Sequence, residues 1–247
     1  MLNLTYYVQY MQWIRGMDLT KLKFVDECHF QAKGTSFALV ALCWYEDQFL
    51  TQLFTDYWCR KACGPRGSRV VLTRPGQVPK ACSITLLTSL HPDSTCTWTT
   101  RYGSNCQVDF ITTIRQFVEC GVLEDGDVLV LDNASVHTGR THQQDFQELL
   151  QEAGVSLVWL PKYSPELNPC EFVFARIKHF IRSPQAVMFD QYRGQEVLGG
   201  FQDLLFASTS LISYESMQNT YQHCASLDPD SHIGQVLIER NLVEAPP

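Results

Sequence analysis

Two short apolar runs, Asp127–Leu131 (DVLVL) and Val155–Leu160 (VSLVWL), flank one helical segment, Thr141–Ala153, which Gly154 stops. No other feature constrains the fold as much. A strand covered on both faces reads as a near-continuous apolar run. Two such strands joined by a single helix form a parallel, right-handed crossover. The chain must therefore build an α/β layer structure around this unit.

The rest of the sequence supplies partners for it. Residues 3–19 carry Leu4, Tyr7, Val8, Met11 and Ile14 near helical spacing, and Gly16 ends them. Lys21–Phe30 (KLKFVDECHF) reads as a strand bearing an acid, Asp26. Val70–Leu72 and Ala81–Leu90 read as further strands, so that three in succession predict an antiparallel meander. Residues 91–105 are rich in Ser, Thr and Cys and read as a loop. Val108–Cys120 places Phe110, Ile111, Ile114, Phe117 and Val118 on one helical face. Pro161, Pro165 and Pro169 turn the chain into a helix over Cys170–Ile181, and helices near 196–212 and 214–226 follow. The expected architecture is a mixed sheet flanked by helices.

Composition narrows the function. The 247 residues are 45% hydrophobic, enough for a buried core, and carry a net charge of −7. That balance excludes a whole-chain basic footprint for nucleic acid, though not a local one. One stretch, Arg60–Lys80, holds six Lys/Arg and no acid. The longest apolar run, Phe37–Tyr45, falls well short of the roughly 20 residues that span a bilayer. The first residues show neither a basic region nor a clean apolar core of the kind that directs secretion. The ten cysteines then read as reduced thiols. Cys59 and Cys63 are spaced CxxxC, with Cys82, Cys96 and Cys106 downstream, but no second tight pair or HxxxH completes a zinc site.

Three carboxylates stand where chemistry can use them: Asp26 in the first strand, Asp132 ending the DVLVL strand, and Glu171 opening the helix after the proline-rich turn. If the two strands are neighbours, Asp26 and Asp132 share one end of the sheet and the turn swings Glu171 towards them. Clustered carboxylates raise one another's proton affinity unless cations neutralise them. Mg²⁺ and Mn²⁺ are hard ions suited to such oxygen donors, and a pair about 4 Å apart serves phosphodiester transfer. Acids at strand ends are equally at home as helix caps or surface charges, and spacing alone leaves both readings open.

The residues around these acids add a resemblance. FVDECH (24–29), LDNASVH (131–137) and LPKYSPELNPCE (160–171), in that order, resemble the DDE transposase superfamily. More narrowly they resemble the Tc1/mariner and IS630-like integrase-type catalytic domain, over about residues 21–185. The resemblance implies an RNase H-like, mixed five-stranded sheet flanked by helices. It also implies that Asp26, Asp132 and Glu171 are the first, second and third catalytic acids, holding two Mg²⁺ or Mn²⁺ ions for nicking and strand transfer of DNA. Asn133 and His137 match the block beside the second acid. His137 is then a proton donor or phosphate contact, or a packed or capping histidine. Asn168 and the prolines shape the turn that delivers Glu171, and Glu27 is a neighbour without a required role. Arg176, Lys178 and Arg182 on the last helix are candidate phosphate contacts, or simply a solvated face. CGPRGSRV (63–70) resembles the family's basic hairpin and makes Arg66 and Arg69 the leading candidates for DNA contact.

Two departures from the family pattern shape the expected domains. About 20 residues precede the first strand, read as a helix or remnant linker without room for a helix-turn-helix reader. Residues 35–59 have no matching family block and are read as an insertion, of the kind a retained intron would encode. Residues 186–247 read as a helical extension. The expected partners are DNA and, as an assembly to be tested, a second copy of the chain, with no membrane. The expected location is the nucleus in a eukaryote and the cytoplasm otherwise. The competing readings are an inactive, nucleic-acid-binding remnant of such an enzyme and an RNase H-type nuclease on the same fold.

Overall fold

The computed structural model describes residues 4–30, 38–41, 52–55, 82–139, 141–181 and 197–226. Helix α1 (Leu4–Arg15) leads into strand β1 (Leu22–Phe30). Two short strands, β2 (Ala38–Ala41) and β3 (Gln52–Thr55), pair with each other in a separate antiparallel ribbon. Both lie within the stretch read as an insertion. The chain continues through β4 (Cys82–Thr88), β5 (Cys96–Tyr102), α2 (Gln107–Glu119), β6 (Val128–Leu131), α3 (Ser135–Thr138), α4 (Gln143–Glu152) and β7 (Ser156–Trp159). A 3₁₀ turn, Pro165–Leu167, precedes α5 (Pro169–Ile181), then α6 (Val197–Ser210) and α7 (Tyr214–Ser226).

The main sheet has five strands in the order β5-β4-β1-β6-β7. β1, β4 and β5 form the antiparallel half, and β1, β6 and β7 the parallel half. The mixed five-stranded sheet flanked by helices thus agrees with the sequence. Its meander closes on β5, inside the stretch read as a loop. That strand (CTWTTRY) is an edge strand, and its Thr-rich sequence carries β-propensity without the apolar signal of a core strand. β7 is likewise not buried on both faces: as the other edge, it leaves Ser156 exposed and the next three residues half-buried. The strand expected at Val70–Leu72, the basic stretch Arg60–Lys80 and the Cys59/Cys63 pair lie outside the described residues. Among the described residues, Cys82, Cys96 and Cys106 form no disulfide.

Side-chain alternation along β1 divides the core in two. Leu22, Phe24 and Cys28 face α1, α5, α6 and α7, with Tyr7, Met11, Ile14, Cys170, Phe174, Ile177 and Tyr221 packed around them. Val25 faces the other way, onto Phe110, Ile114 and Phe117 of α2 and Phe146 and Leu150 of α4. β6 is buried at all four residues and feeds both layers, Val130 one and Leu131 the other. Gly154 ends α4 at φ +67°, where an L side chain is strained, and its carbonyl accepts from the Gly126 N–H at 3.1 Å.

Candidate active site

The register of β1 and β6 builds the site. Val25 pairs with Leu131, so the next residue on each parallel strand, Asp26 and Asp132, stands at the same level. Neighbouring strands lie about 4.8 Å apart, which brings the two backbones together. β6 ends there, whereas β1 runs on beside β4 to Phe30. Asp26 therefore sits where β1 loses its neighbour on one side. The connections also diverge to either side of β1 and β6, and open α/β sheets bind ligands at such switch points, beyond the strands' carboxyl ends.

Asp26 shares its side of β1 with Phe24 and Cys28, the side covered by α5. It is 8% exposed. Its Oδ1 accepts from the Glu27 N–H at 2.7 Å and its Oδ2 from Asn168 Nδ2 at 2.8 Å. Burial, joined by the charges of Asp132 and Glu171, pushes its carboxyl up to about 7.

Asn168 also anchors the turn. Its Oδ1 accepts from the Cys170 N–H at 3.1 Å, and its carbonyl from the Glu171 N–H at 3.1 Å. The buried Cys170 thiol donates to the Phe24 carbonyl at 3.3 Å, tying the first turn of α5 to β1. Glu171, one residue on, is exposed, and its charge is among those that raise the proton affinity of Asp26. The proline-rich turn thus carries a direct bond from Asn168 to the first acid that spacing could not reveal.

Asp132 is held from the other side of the sheet. Its Oδ1 accepts from the Ala134 N–H at 2.9 Å and from His137 Nδ1 at 2.8 Å. Partial burial pushes its carboxyl up, but the bonds from His137 and Ala134 and the charge on His137 outweigh that and hold it low. The His137 side chain is fully buried, its ring tilted against that of Phe110 with centroids 4.4 Å apart, and its Nε2 meets Glu27 Oε2 at 2.7 Å. Burial alone would lower the proton affinity of this ring, and its two acid partners raise it to about 10. The packed reading of His137 fits this geometry. Asn133 Nδ2 donates to the Leu160 carbonyl at 2.6 Å, clamping the end of β6 to the end of β7.

The sequence marked Glu27 only as a neighbour without a required role and did not mark Asn105 at all. Glu27 pairs with His137, and Asn105 donates to Thr85 Oγ1 at 2.8 Å and to Glu27 Oε1 at 3.5 Å. Alternation along β1 placed Glu27 opposite Asp26, a signal that was there to be read; no pattern marks Asn105.

Of the candidate phosphate contacts, Arg176 is exposed on α5. Lys178 is half-buried, its ammonium 5.9 Å from the centre of the Phe174 ring. Arg66, Arg69 and Arg182 lie outside the described residues.

The donor set suits a hard divalent cation: carboxylates, two of them on adjoining strands, one being a buried acid whose proton affinity is raised by burial and then by the charge of Asp132. Among the described residues no three His, Cys, Asp or Glu side chains converge into a ready cage. Mg²⁺ needs none, because it keeps several waters and binds through one or two carboxylates together with substrate phosphates. Asp26 and Asp132 fit that mode.

Comparison with known proteins agrees with the fold. A family described as DDE superfamily endonuclease matches residues 43–191. Asp132 and Glu171 fall within that span, Asp26 before it. The structure of the mariner Mos1 paired end complex with Mg aligns at a TM-score of 0.53 and 12% identity, over 88% of this chain and 57% of that one. The Mos1 strand transfer complex aligns at 0.48 and 12%, over 91% and 61%. The catalytic domain of Mos1 mariner transposase aligns at 0.43 and 12%, over 90% and 91%. The chain thus spans about three fifths of the Mos1 chains in the two complexes. No curated protein sequence matches. No described helix is long and apolar enough to cross a membrane. The first of these alignments supports the RNase H-like fold, and the family match covers more than half of the sequence: the chain belongs to the DDE superfamily endonuclease family.

Proposed function

We propose that this chain is the catalytic domain of a Tc1/mariner-like transposase, a metal-dependent endonuclease that nicks and transfers DNA strands. The observation that carries the reading is the parallel register of β1 and β6, which sets Asp26 beside Asp132 at the open end of the sheet. Asn168 joins that pair to the turn bearing Glu171.

Asp26, Asp132 and Glu171 are the residues that would hold two Mg²⁺ or Mn²⁺ ions. Such a pair supplies an activated water or 3′-hydroxyl and a stabilised leaving oxygen in phosphodiester transfer. The chain's own residues prepare the site. Asn168 fixes the Asp26 carboxyl. His137 and the Ala134 N–H hold one oxygen of Asp132, so that its other oxygen is the one turned to a ligand. Glu171 stays exposed, where a substrate phosphate would arrive. The basic run Arg60–Lys80, with Arg66 and Arg69, and Arg176 on α5 are the proposed phosphate contacts on DNA.

A second reading, an inactive remnant that binds nucleic acid, draws on the three acids not converging into a cage. A thermal-melt titration with Mn²⁺ separates the two, because an ion that binds only the folded state raises the melting temperature by mass action. The enzyme reading expects a saturable rise that Asp132→Ala abolishes, together with Mn²⁺-dependent nicking of duplex DNA. A cooperative melt blind to Mn²⁺ would sink it in favour of the remnant. Preferential cutting of RNA–DNA hybrid would instead point to an RNase H-type nuclease.

A further inference from the structure

The His137 ring is clamped between two acids from different elements. Nδ1 faces Asp132 Oδ1 at 2.8 Å and Nε2 faces Glu27 Oε2 at 2.7 Å. Carboxylate oxygens only accept, so the ring donates at both nitrogens. Glu27 is itself held: its Oε1 receives the Asn105 amide at 3.5 Å, and that amide also reaches Thr85 on β4 at 2.8 Å. The chain Thr85–Asn105–Glu27–His137–Asp132 thus runs from β4 past β1 to the end of β6. The His137 side chain is 0% and that of Glu27 15% exposed, against 41% for Asp132. The network is buried at its root and opens only at the acid that meets solvent.

Asp132 has left the strand ladder, which ends at Leu131, and β6 pairing does not fix its carboxylate. The histidine does so together with the Ala134 N–H, and Glu27 holds the far nitrogen of a ring that also meets the Asp132 carbonyl at 3.2 Å and Phe110. We propose that Glu27 is a positioning residue: acting through His137, it orients the Asp132 carboxylate for the divalent ion. The inference rests on the functional reading above and deepens it. β1 then serves the site with two consecutive acids on its two faces, Asp26 directly and Glu27 through the ring. Groups that orient a metal-binding carboxylate typically contribute 10–100-fold in metal affinity.

The test is Mn²⁺ binding to the full chain, followed by the paramagnetic resonance signal of the free ion, in wild type, Asp132→Ala, Glu27→Ala, Glu27→Gln and Glu27→Asp. Wild type binds saturably and Asp132→Ala does not. Glu27→Ala weakens binding about 10–100-fold. Glu27→Gln, whose amide oxygen still accepts from Nε2–H, recovers most of that loss. Glu27→Asp keeps the charge but withdraws it from the ring and weakens binding several-fold, which provides the measurement if the alanine variant does not fold. Wild-type affinity in a cooperatively folded Glu27→Ala, or in Glu27→Asp, overturns the positioning role and leaves the metal site standing. Equal losses in Glu27→Gln and Glu27→Ala overturn it as well, since charge and not orientation would then be responsible. No saturable binding by wild type overturns the functional reading and this inference together.

Discussion

The side-chain amide of Asn168 donates to Asp26 Oδ2 at 2.8 Å, joining residues 142 positions apart in sequence. The same amide group accepts from the Cys170 N–H, so one residue couples the buried acid of β1 to the first turn of α5. Asn168→Ala removes both bonds and leaves Asp26 with a desolvated oxygen unpaired. Losses of this kind cost about 1–3 kcal/mol. Urea unfolding is expected to show a lowered midpoint with unchanged slope; a midpoint equal to wild type would mean the coupling contributes nothing.

The raised proton affinity of Asp26 gives a signed pH dependence in metal-free protein. An unfolded Asp loses its proton near pH 4, whereas the folded one keeps it to about 7. The folded state therefore binds the extra proton across that window, and stability falls as pH rises through it. The whole effect is on the order of 4 kcal/mol at most. Asp26→Asn, which has nothing to titrate, is expected to match wild type near pH 4 and exceed it near pH 8. A stability difference that stays flat over this range would refute the assignment. Because the ion and the proton compete for Asp26, Mn²⁺ affinity should also climb through pH 7.

These residues show how far the sequence could be read. Apolar runs in β6 and helical spacing in α2 and α5 betray their burial, because a core-facing pattern is written one residue after another. The neighbourhood of β1 and β6 was posed only as a condition, and it is the one on which the site depends. β5 was missed because an edge strand of Thr, Trp and Arg, half-buried along its length, carries no core signal. The three acids were singled out through the blocks around them. The His137–Glu27 bond was not: it spans 110 positions and depends on a four-residue helix, α3, too short to leave a periodic trace. Contacts of that kind follow from tertiary packing and have no local signature.

Burial divides the described thiols into two classes. It pushes up the thiols of Cys28, Cys82, Cys96, Cys170 and Cys224, Cys224 to about 12. Cys106 and Cys120 are exposed. Alkylation proceeds through the thiolate and requires access. Iodoacetamide at neutral pH, read out by peptide mass spectrometry, is expected to modify Cys106 and Cys120 at least about tenfold faster than Cys170 and Cys224. Denaturant should level the rates. Comparable labelling of Cys170 in folded protein would contradict its burial in the first turn of α5.

The basic run Arg60–Lys80 is the main local excess of positive charge in an acidic chain. If it contacts DNA phosphates, each arginine that neutralises one releases a condensed counterion, and the logarithm of affinity falls with that of salt by about 0.9 per contact. Arg66→Ala and Arg69→Ala are each expected to flatten the salt slope by about one and to weaken binding evenly across DNA sequences. Asp132→Ala should leave that slope in place while abolishing the metal response, because phosphate contact and metal chemistry belong to different residues. Fluorescence anisotropy between 50 and 200 mM salt measures both effects. A slope unchanged in the double arginine variant would remove the run from the DNA interface and shift the expectation to Arg176.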